Sequence, residues 1–237
     1  MGNDWFQFKQ FLVRQEQSAL RVGTDCVLLG AWSRVTGAGK ILDVGTGTGA
    51  IALMLAQRSE AEIHAVEINE GACNDALKNF ADSPWSSRLK LYHEDFNHFC
   101  IAESTLYDLV VCNPPFFSRS LKSADFAATL ARHDVALSFE QLISGTRKIL
   151  APAGRLSVIV PVDAYDEFRE TARLSGFYLS RKSVVIPKTG KPPKRLLLEF
   201  SVEPTFPVTE DLVILQGNNK YSDQFVALTK DFYLNFL

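Results

Sequence analysis

The sequence predicts an α/β protein with an open, mostly parallel, Rossmann-like sheet. Three observations carry that prediction. Strand-length apolar runs alternate with helix-length segments through most of the chain, the pattern of a parallel sheet with crossover helices. One run, KILDVGTGTGAIALML at residues 40–55, reads as a short strand, a turn carrying Gly45, Gly47 and Gly49, and a helix opening at Ala50. Polar residues also collect where strands should end, at Asp43, Glu67, Asp95 and Asn113, the end at which open α/β sheets bind ligands.

The chain opens with apolar/polar alternation from Phe6 through Val13, followed by Leu20 and Val22, which predicts a β-hairpin extension. Thr24 or Asp25 is placed to cap a helix over residues 26–35. Strands are then expected at residues 41–44, 63–68, 89–92, 107–112 and 156–160, with helices at 70–80, 138–150 and 163–174. Pro152-Ala153-Gly154 reads as a turn before the fifth strand. Residues 178–186 and 196–202 should pair antiparallel at one edge of a seven-stranded sheet, joined by PKTGKPPKR. The tail adds an apolar strand at 212–215 and a helix at 222–234. With no repeat and no linker, one domain is the simplest division: 1–36 hairpin and helix, 37–203 core, 204–237 C-terminal strand and helix.

Composition bounds the function. Hydrophobic residues make up 46% of the 237 and charged residues 22%, enough apolar material for a sizeable core. The net charge of −2 excludes a polycation, so a nucleic-acid partner must meet a local basic patch. The four cysteines, Cys26, Cys73, Cys100 and Cys112, have no metal-ligand or disulfide spacing, and the four histidines form no motif with them. No apolar leader follows Met1 and no long apolar span occurs, so a cytoplasmic protein without metal or membrane is expected, as a monomer.

Alternate glycines fit a backbone that takes positive φ and lies against a ligand, and the helix N-terminus beyond them suits an anionic or carboxylate group. Gly45-x-Gly47-x-x-Ala50 with Glu67 about 20 residues on also satisfies a dinucleotide fingerprint. Asp43, two residues before the first glycine, favours another cofactor. Glu67 is placed to accept ribose hydroxyls with Ile68 beside it, and Asp95 to accept from an adenine amino group while Phe96 covers the ring. Asn113-Pro114-Pro115-Phe116 follows a buried strand. Two prolines remove two backbone donors, leaving the Asn113 side-chain oxygen and the Pro114 carbonyl as acceptors, with an aromatic plate next to them. That combination suits a planar group bearing an exocyclic amine.

The D-x-G-x-G-x-G turn resembles motif I of class I S-adenosylmethionine-dependent methyltransferases, and the N-P-P-F tetrapeptide resembles that of the amino-group methyltransferases. FKQFLVRQEQSALRVGTDCVLLGAW at residues 8–32, NPPFF, ARHD at 131–134, PPKRLLLEF at 192–200 and YSDQFVALTKDFYL at 221–234 are similar to the tRNA adenine-N6 methyltransferases of enteric bacteria. The likeness covers nearly the whole chain. It implies S-adenosylmethionine as cofactor, a valine tRNA as substrate and the adenosine 3′ of the anticodon as target. It also implies a cofactor set of Thr24, Asp25, Asp43, Gly45, Gly47, Gly49, Glu67, Ile68, Asp95, Phe96 and Asn113, with Asn113, Pro114, Pro115 and Phe116 at the chemistry. Phosphate contacts are expected from Arg119, Lys122 and Arg132, and from Lys188, Lys191 and Lys194 in a stretch where Arg181, Lys182 and Arg195 are also basic and acids are lacking.

Other readings stay open at this stage. Guanine-N2 methylation of rRNA or glutamine methylation of a release factor uses the same tetrapeptide. A nicotinamide dehydrogenase could use the glycine turn, Glu67 and a Tyr178/Lys182 pair, though four strand residues span roughly 13 Å. A cofactor-binding RNA chaperone would keep the fold and lose turnover.

Overall fold

The computed structural model of the protein describes residues 3–114 and 137–236. Strands β1 (Trp5–Gln7) and β2 (Leu12–Arg14) pair antiparallel as a separate two-stranded sheet. Helix α1 (Thr24–Trp32) follows. Then come β3 (Lys40–Val44), α2 (Ala50–Arg58), β4 (Glu62–Glu67), α3 (Glu70–Ala81), β5 (Leu89–His93), α4 (Phe96–Ala102) and β6 (Tyr107–Cys112). Past residue 136 the elements are α5 (Phe139–Ile149), β7 (Leu150–Pro161), α6 (Tyr165–Leu174), β8 (Tyr178–Lys188), β9 (Arg195–Ser201), β10 (Val208–Leu215) and α7 (Asp223–Thr229).

The main sheet has the order β10-β8-β9-β7-β6-β3-β4-β5. Only β9 runs against its neighbours, pairing antiparallel with both β7 and β8. The inner strands are covered on both faces, which is why they read as unbroken apolar runs rather than alternation. Ile41, Leu109, Ile159 and Leu197 face α1, α2 and the N-terminal hairpin, while Leu42, Val110, Val158 and Leu198 face α4, α5 and α6.

Several expectations need correction. The main sheet has eight strands rather than seven, because the tail strand begins at Val208 and adds parallel to β8, so the β8–β9 hairpin is not the edge. Its first half was hidden by four exposed residues, Val208, Thr209, Glu210 and Asp211. Neither Thr24 nor Asp25 caps α1. Gly23 holds the N-cap position in extended conformation, and the helix starts and ends earlier than the apolar stripe suggested. The predicted turn at Pro152-Ala153-Gly154 is part of β7. The pairing jumps from Tyr107↔Leu150 to Leu109↔Arg155, so the extra residues are absorbed as an irregularity in the ladder. Helix α4 was not anticipated, and α7 is shorter than expected.

The N-terminal segment is fastened to α3 by side chains that read as surface polars in the sequence. Asp75, with no exposed surface, accepts from the Gln17 N–H at 2.9 Å, the Ser18 N–H at 2.8 Å and the Ser18 hydroxyl at 2.9 Å. Asp75→Ala removes the acceptor for three donors at once, and stability should fall by about 2–4 kcal/mol. In urea unfolding the midpoint should drop while the slope is kept.

Candidate functional site

The site begins where β3 ends. Gly45, Gly47 and Gly49 have φ of +67°, +57° and +80°, the left-handed region that side chains avoid. An added Cβ at Gly45 or Gly47 would meet nothing within 4 Å among the described residues, whereas at Gly49 it would fall 2.5 Å from the Phe80 ring. The loop is pinned from below. Gly45 and Thr46 donate to the Val66 carbonyl at 2.9 and 3.2 Å, Gly47 donates to Glu67 Oε2 at 2.9 Å, and Gly49 donates back to the Thr46 carbonyl at 2.9 Å. Gly49 then caps α2.

Asp43, the last but one residue of β3, has no exposed surface. Its Oδ2 accepts from the Thr46 hydroxyl at 2.6 Å and the Ala52 N–H at 3.2 Å, while its Oδ1 is buried without a partner among the described residues. Burial pushes its carboxyl up to about 7, and these two hydrogen bonds pull it only part of the way back. An orphaned buried carboxylate oxygen below a loop of bare backbone is the acceptor a cationic ligand group requires. The residues therefore fit a cofactor with a charged amino-acid end.

Next to the loop lies a cleft of about 480 Å³ of open space, lined by Gly45, Glu67, Ile68, Asp95, Phe96 and, from α5, Gln141. Glu67 accepts from three backbone N–H groups, those of Gly47, Ile68 and Asn69, at 2.9–3.0 Å. A carboxylate offers about four acceptor positions, so Glu67 ties the loop to the end of β4 and retains one further position. Asp95 caps α4, its Oδ1 accepting from the Asn97 N–H at 2.6 Å. Phe96 is 5% exposed and packs so tightly on Gly145 that an added Cβ there would lie 2.6 Å from its ring. It belongs to the core as well as to the cleft wall. Ile68, 41% exposed, is the apolar residue open to the cleft.

Thr24 and Asp25 stand apart from that lining, in the first turn of α1. There Asp25 Oδ2 accepts from Arg195 Nε at 2.7 Å, joining the helix to β9. Leu137 and Gln141 line the cleft without having been singled out, although S-x-x-Q at residues 138–141 signalled the capping box that places them.

Cys112 of β6 pairs in register with Val44 of β3. Asn113 therefore leaves the sheet beside Gly45, half-buried, followed by a buried Pro114. Pro115, Phe116, Arg119, Lys122 and Arg132 lie outside the described residues. Burial pushes the Cys26 and Cys112 thiols up, and the charge of Asp43 pushes them further. Among the described residues no group of three or more His, Cys, Asp or Glu could hold a metal ion, and no helix is long and apolar enough to cross a membrane.

The basic stretch divides. Arg181 lies over the Trp32 indole, 3.6 Å from its centre, and pairs with the buried Glu199, so it is packed inward. Lys182 lies over the Tyr165 ring, on the other face of β8, and forms no pair with Tyr178. Lys188 donates to Asn219 Oδ1 at 2.6 Å, whereas Lys191 and Lys194 are exposed. Pro161 at the end of β7 pairs with Arg195 at the start of β9. The turn at residues 189–194 thus projects from the same end of the sheet as Asn113 and the glycine loop.

The chain was compared with known proteins. The family described as the methyltransferase small domain matches residues 22–164. A tRNA1(Val) (adenine(37)-N6)-methyltransferase of Bacteroides fragilis is 44% identical over 235 residues, 99% of each chain. One of Trichodesmium erythraeum is 43% identical over the full length of both chains. Among solved structures, a predicted O-methyltransferase, Atu636 from Agrobacterium tumefaciens, covers 88% of this chain and 96% of its own at a TM-score of 0.69 and 18% identity. The glycopeptide N-methyltransferase MtfA, solved with sinefungin, covers 78% and 89% at 0.57 and 16%. These two share the fold. With a glycine loop over a buried acid and a full-length likeness of more than 40%, the chain belongs to the methyltransferase small domain family and, within it, to the tRNA1(Val) (adenine(37)-N6)-methyltransferases.

Proposed function

We propose that this protein methylates the N6 amino group of adenosine 37 in tRNA1(Val), with S-adenosylmethionine as methyl donor. The observation that carries this reading is the register of β6 against β3, which sets Asn113-Pro114 beside the glycine loop at adjacent strand ends. The full-length likeness to the tRNA1(Val) enzymes supplies the substrate.

Asp43 and the backbone of the loop would hold the charged amino-acid end of the donor. Glu67 would accept from its ribose, and Ile68 and Asp95 would flank its base. Bound there, the donor supplies a methyl group on a sulfonium, which leaves as a neutral thioether. The adenine nitrogen is a weak nucleophile because its lone pair is delocalised into the ring. The Asn113 side-chain oxygen and the Pro114 carbonyl, as fixed acceptors, would take the two amino hydrogens, localise that lone pair and stabilise the positive charge growing on nitrogen. Phe116 would stack on the ring, a contact worth roughly 1–3 kcal/mol for a single base. The nitrogen proton then passes to water. No covalent enzyme intermediate is required. Lys191 and Lys194, with Arg119, Lys122 and Arg132, would contact phosphates, and Lys188 would do so on releasing Asn219.

Asn113→Ala should lower transfer of labelled methyl to the tRNA by roughly 100-fold or more while donor binding by calorimetry survives. Wild-type turnover in that variant would refute the assignment. Replacing Lys191 and Lys194 together by Ala should weaken tRNA binding and flatten its dependence on salt, read from dissociation constants between 50 and 200 mM salt, a range over which phosphate-driven binding falls steeply. Asp43→Asn has a pH signature. Unfolded, an aspartate releases its proton near 3.9; folded, Asp43 keeps it to about 7. The native state therefore binds more protons between these values, and the contribution of Asp43 to stability is lost as pH rises through that window. Asp43→Asn should raise the melting temperature at pH 8 relative to wild type, with the gain vanishing near pH 4, and should weaken binding of the donor.

A further inference from the structure

The glycine loop is braced from a side that its own motif does not include. Asn79, on the last turns of α3 and 2% exposed, spends its whole amide on two backbone segments. Its Nδ2 donates to the Thr48 carbonyl at 2.8 Å and to the Arg14 carbonyl at 2.9 Å, and its Oδ1 accepts from the Arg14 N–H at 2.8 Å. The first of these bonds lies inside the D-x-G-x-G-x-G turn. The other two lie on β2, in the N-terminal hairpin. The neighbouring Phe80 fills the space against Gly49.

The peptide plane between Thr48 and Gly49 is consequently held at both ends. Its carbonyl is fixed by Asn79 and its N–H by the Thr46 carbonyl, at 2.9 Å. Turning that plane would reorient the last loop peptide before α2 and with it the N–H groups that open the helix, the groups suited to a carboxylate. A backbone in which three glycines take positive φ has little intrinsic preference for one arrangement, so an external brace decides it. We propose that Asn79 is a positioning residue for methyl-donor binding, holding the Thr48–Gly49 peptide in its binding orientation while using the β2 backbone as a fixed anchor. The proposal rests on the donor site assigned above.

The test separates the loop bond from the anchor. S-adenosylhomocysteine serves as the probe, and its dissociation constant is measured by calorimetry alongside the melting temperature. Asn79→Asp keeps the shape and the acceptor for the Arg14 N–H but sets a carboxylate oxygen against the Thr48 and Arg14 carbonyls. It should raise the dissociation constant about tenfold, the effect of one well-placed buried hydrogen bond. Arg14→Pro deletes the N–H that donates to Asn79 from β2, together with the exposed Arg14–Asp82 ion pair, and leaves the Thr48 bond in place. It should lower the melting temperature with the dissociation constant within twofold of wild type. If Asn79→Asp does not fold, Asn79→Ser, uncharged and too short to reach both segments, is measured in its place with the same expectation. Unchanged affinity in the Asn79 variants, or an affinity loss in Arg14→Pro as large as theirs, overturns the proposal. Wild-type protein that does not bind the probe overturns the donor site itself, a separate outcome.

Discussion

Where β3 gives way to the glycine loop, a carboxylate with no exposed surface is hydrogen-bonded, among the described residues, through one oxygen only. Asp43 Oδ2 gathers the Thr46 hydroxyl from the loop and the Ala52 N–H from the first turn of α2. Strand, loop and helix are thereby locked together around one atom, while the second oxygen stays buried without a partner. Leaving it so is unfavourable, and the protein shows the strain as a carboxyl that holds its proton to about pH 7. A stability-optimised fold would place an apolar or neutral residue here. An acid at this position disfavours the fold, and the donor-binding role proposed above would put that same atom to use.

The surroundings of the loop share this economy. Glu67 is a strut, taking three backbone N–H groups at the end of β4, and also lines the cleft. Asp95 caps α4 and faces the cleft. Phe96 carries core packing and a cleft wall together. Each functional group is thus fixed by a structural duty, which keeps the geometry of the site from depending on the ligand alone.

The central strands, the glycine loop and the polar strand ends were legible in the sequence because each has a local cause. Buried parallel strands must be apolar throughout, positive φ calls for glycine, and ligands meet strands at their carboxyl ends. What stayed hidden depends on partners distant in the chain. Nothing in Val208–Asp211 announces a strand, since the ladder with β8 is made by backbone atoms and every side chain there is exposed. Asp75 and Asn79 read as ordinary surface positions of an amphipathic helix, yet both are buried by the N-terminal segment lying across them. Arg181 looked like part of a phosphate-binding run, and only Trp32 and Glu199, from α1 and β9, turn it inward. Pro152-Ala153-Gly154 carries turn chemistry in full, but the ladder with β6 overrides it.

The hairpin of β1 and β2 meets residues made much later. The Lys9 N–H donates to the Phe232 carbonyl at 2.9 Å, its ammonium donates to the Lys230 carbonyl, and Phe8 packs edge-on against Phe232. A nascent chain can form β3, α2 and the loop early, since they are contiguous. The sheath over α1 and α2 closes only once residues 230–232 have left the ribosome. During synthesis the hairpin lacks its C-terminal contacts until that segment is made, and its bonds to Asp75 and Asn79 of α3 are the ones that can form first.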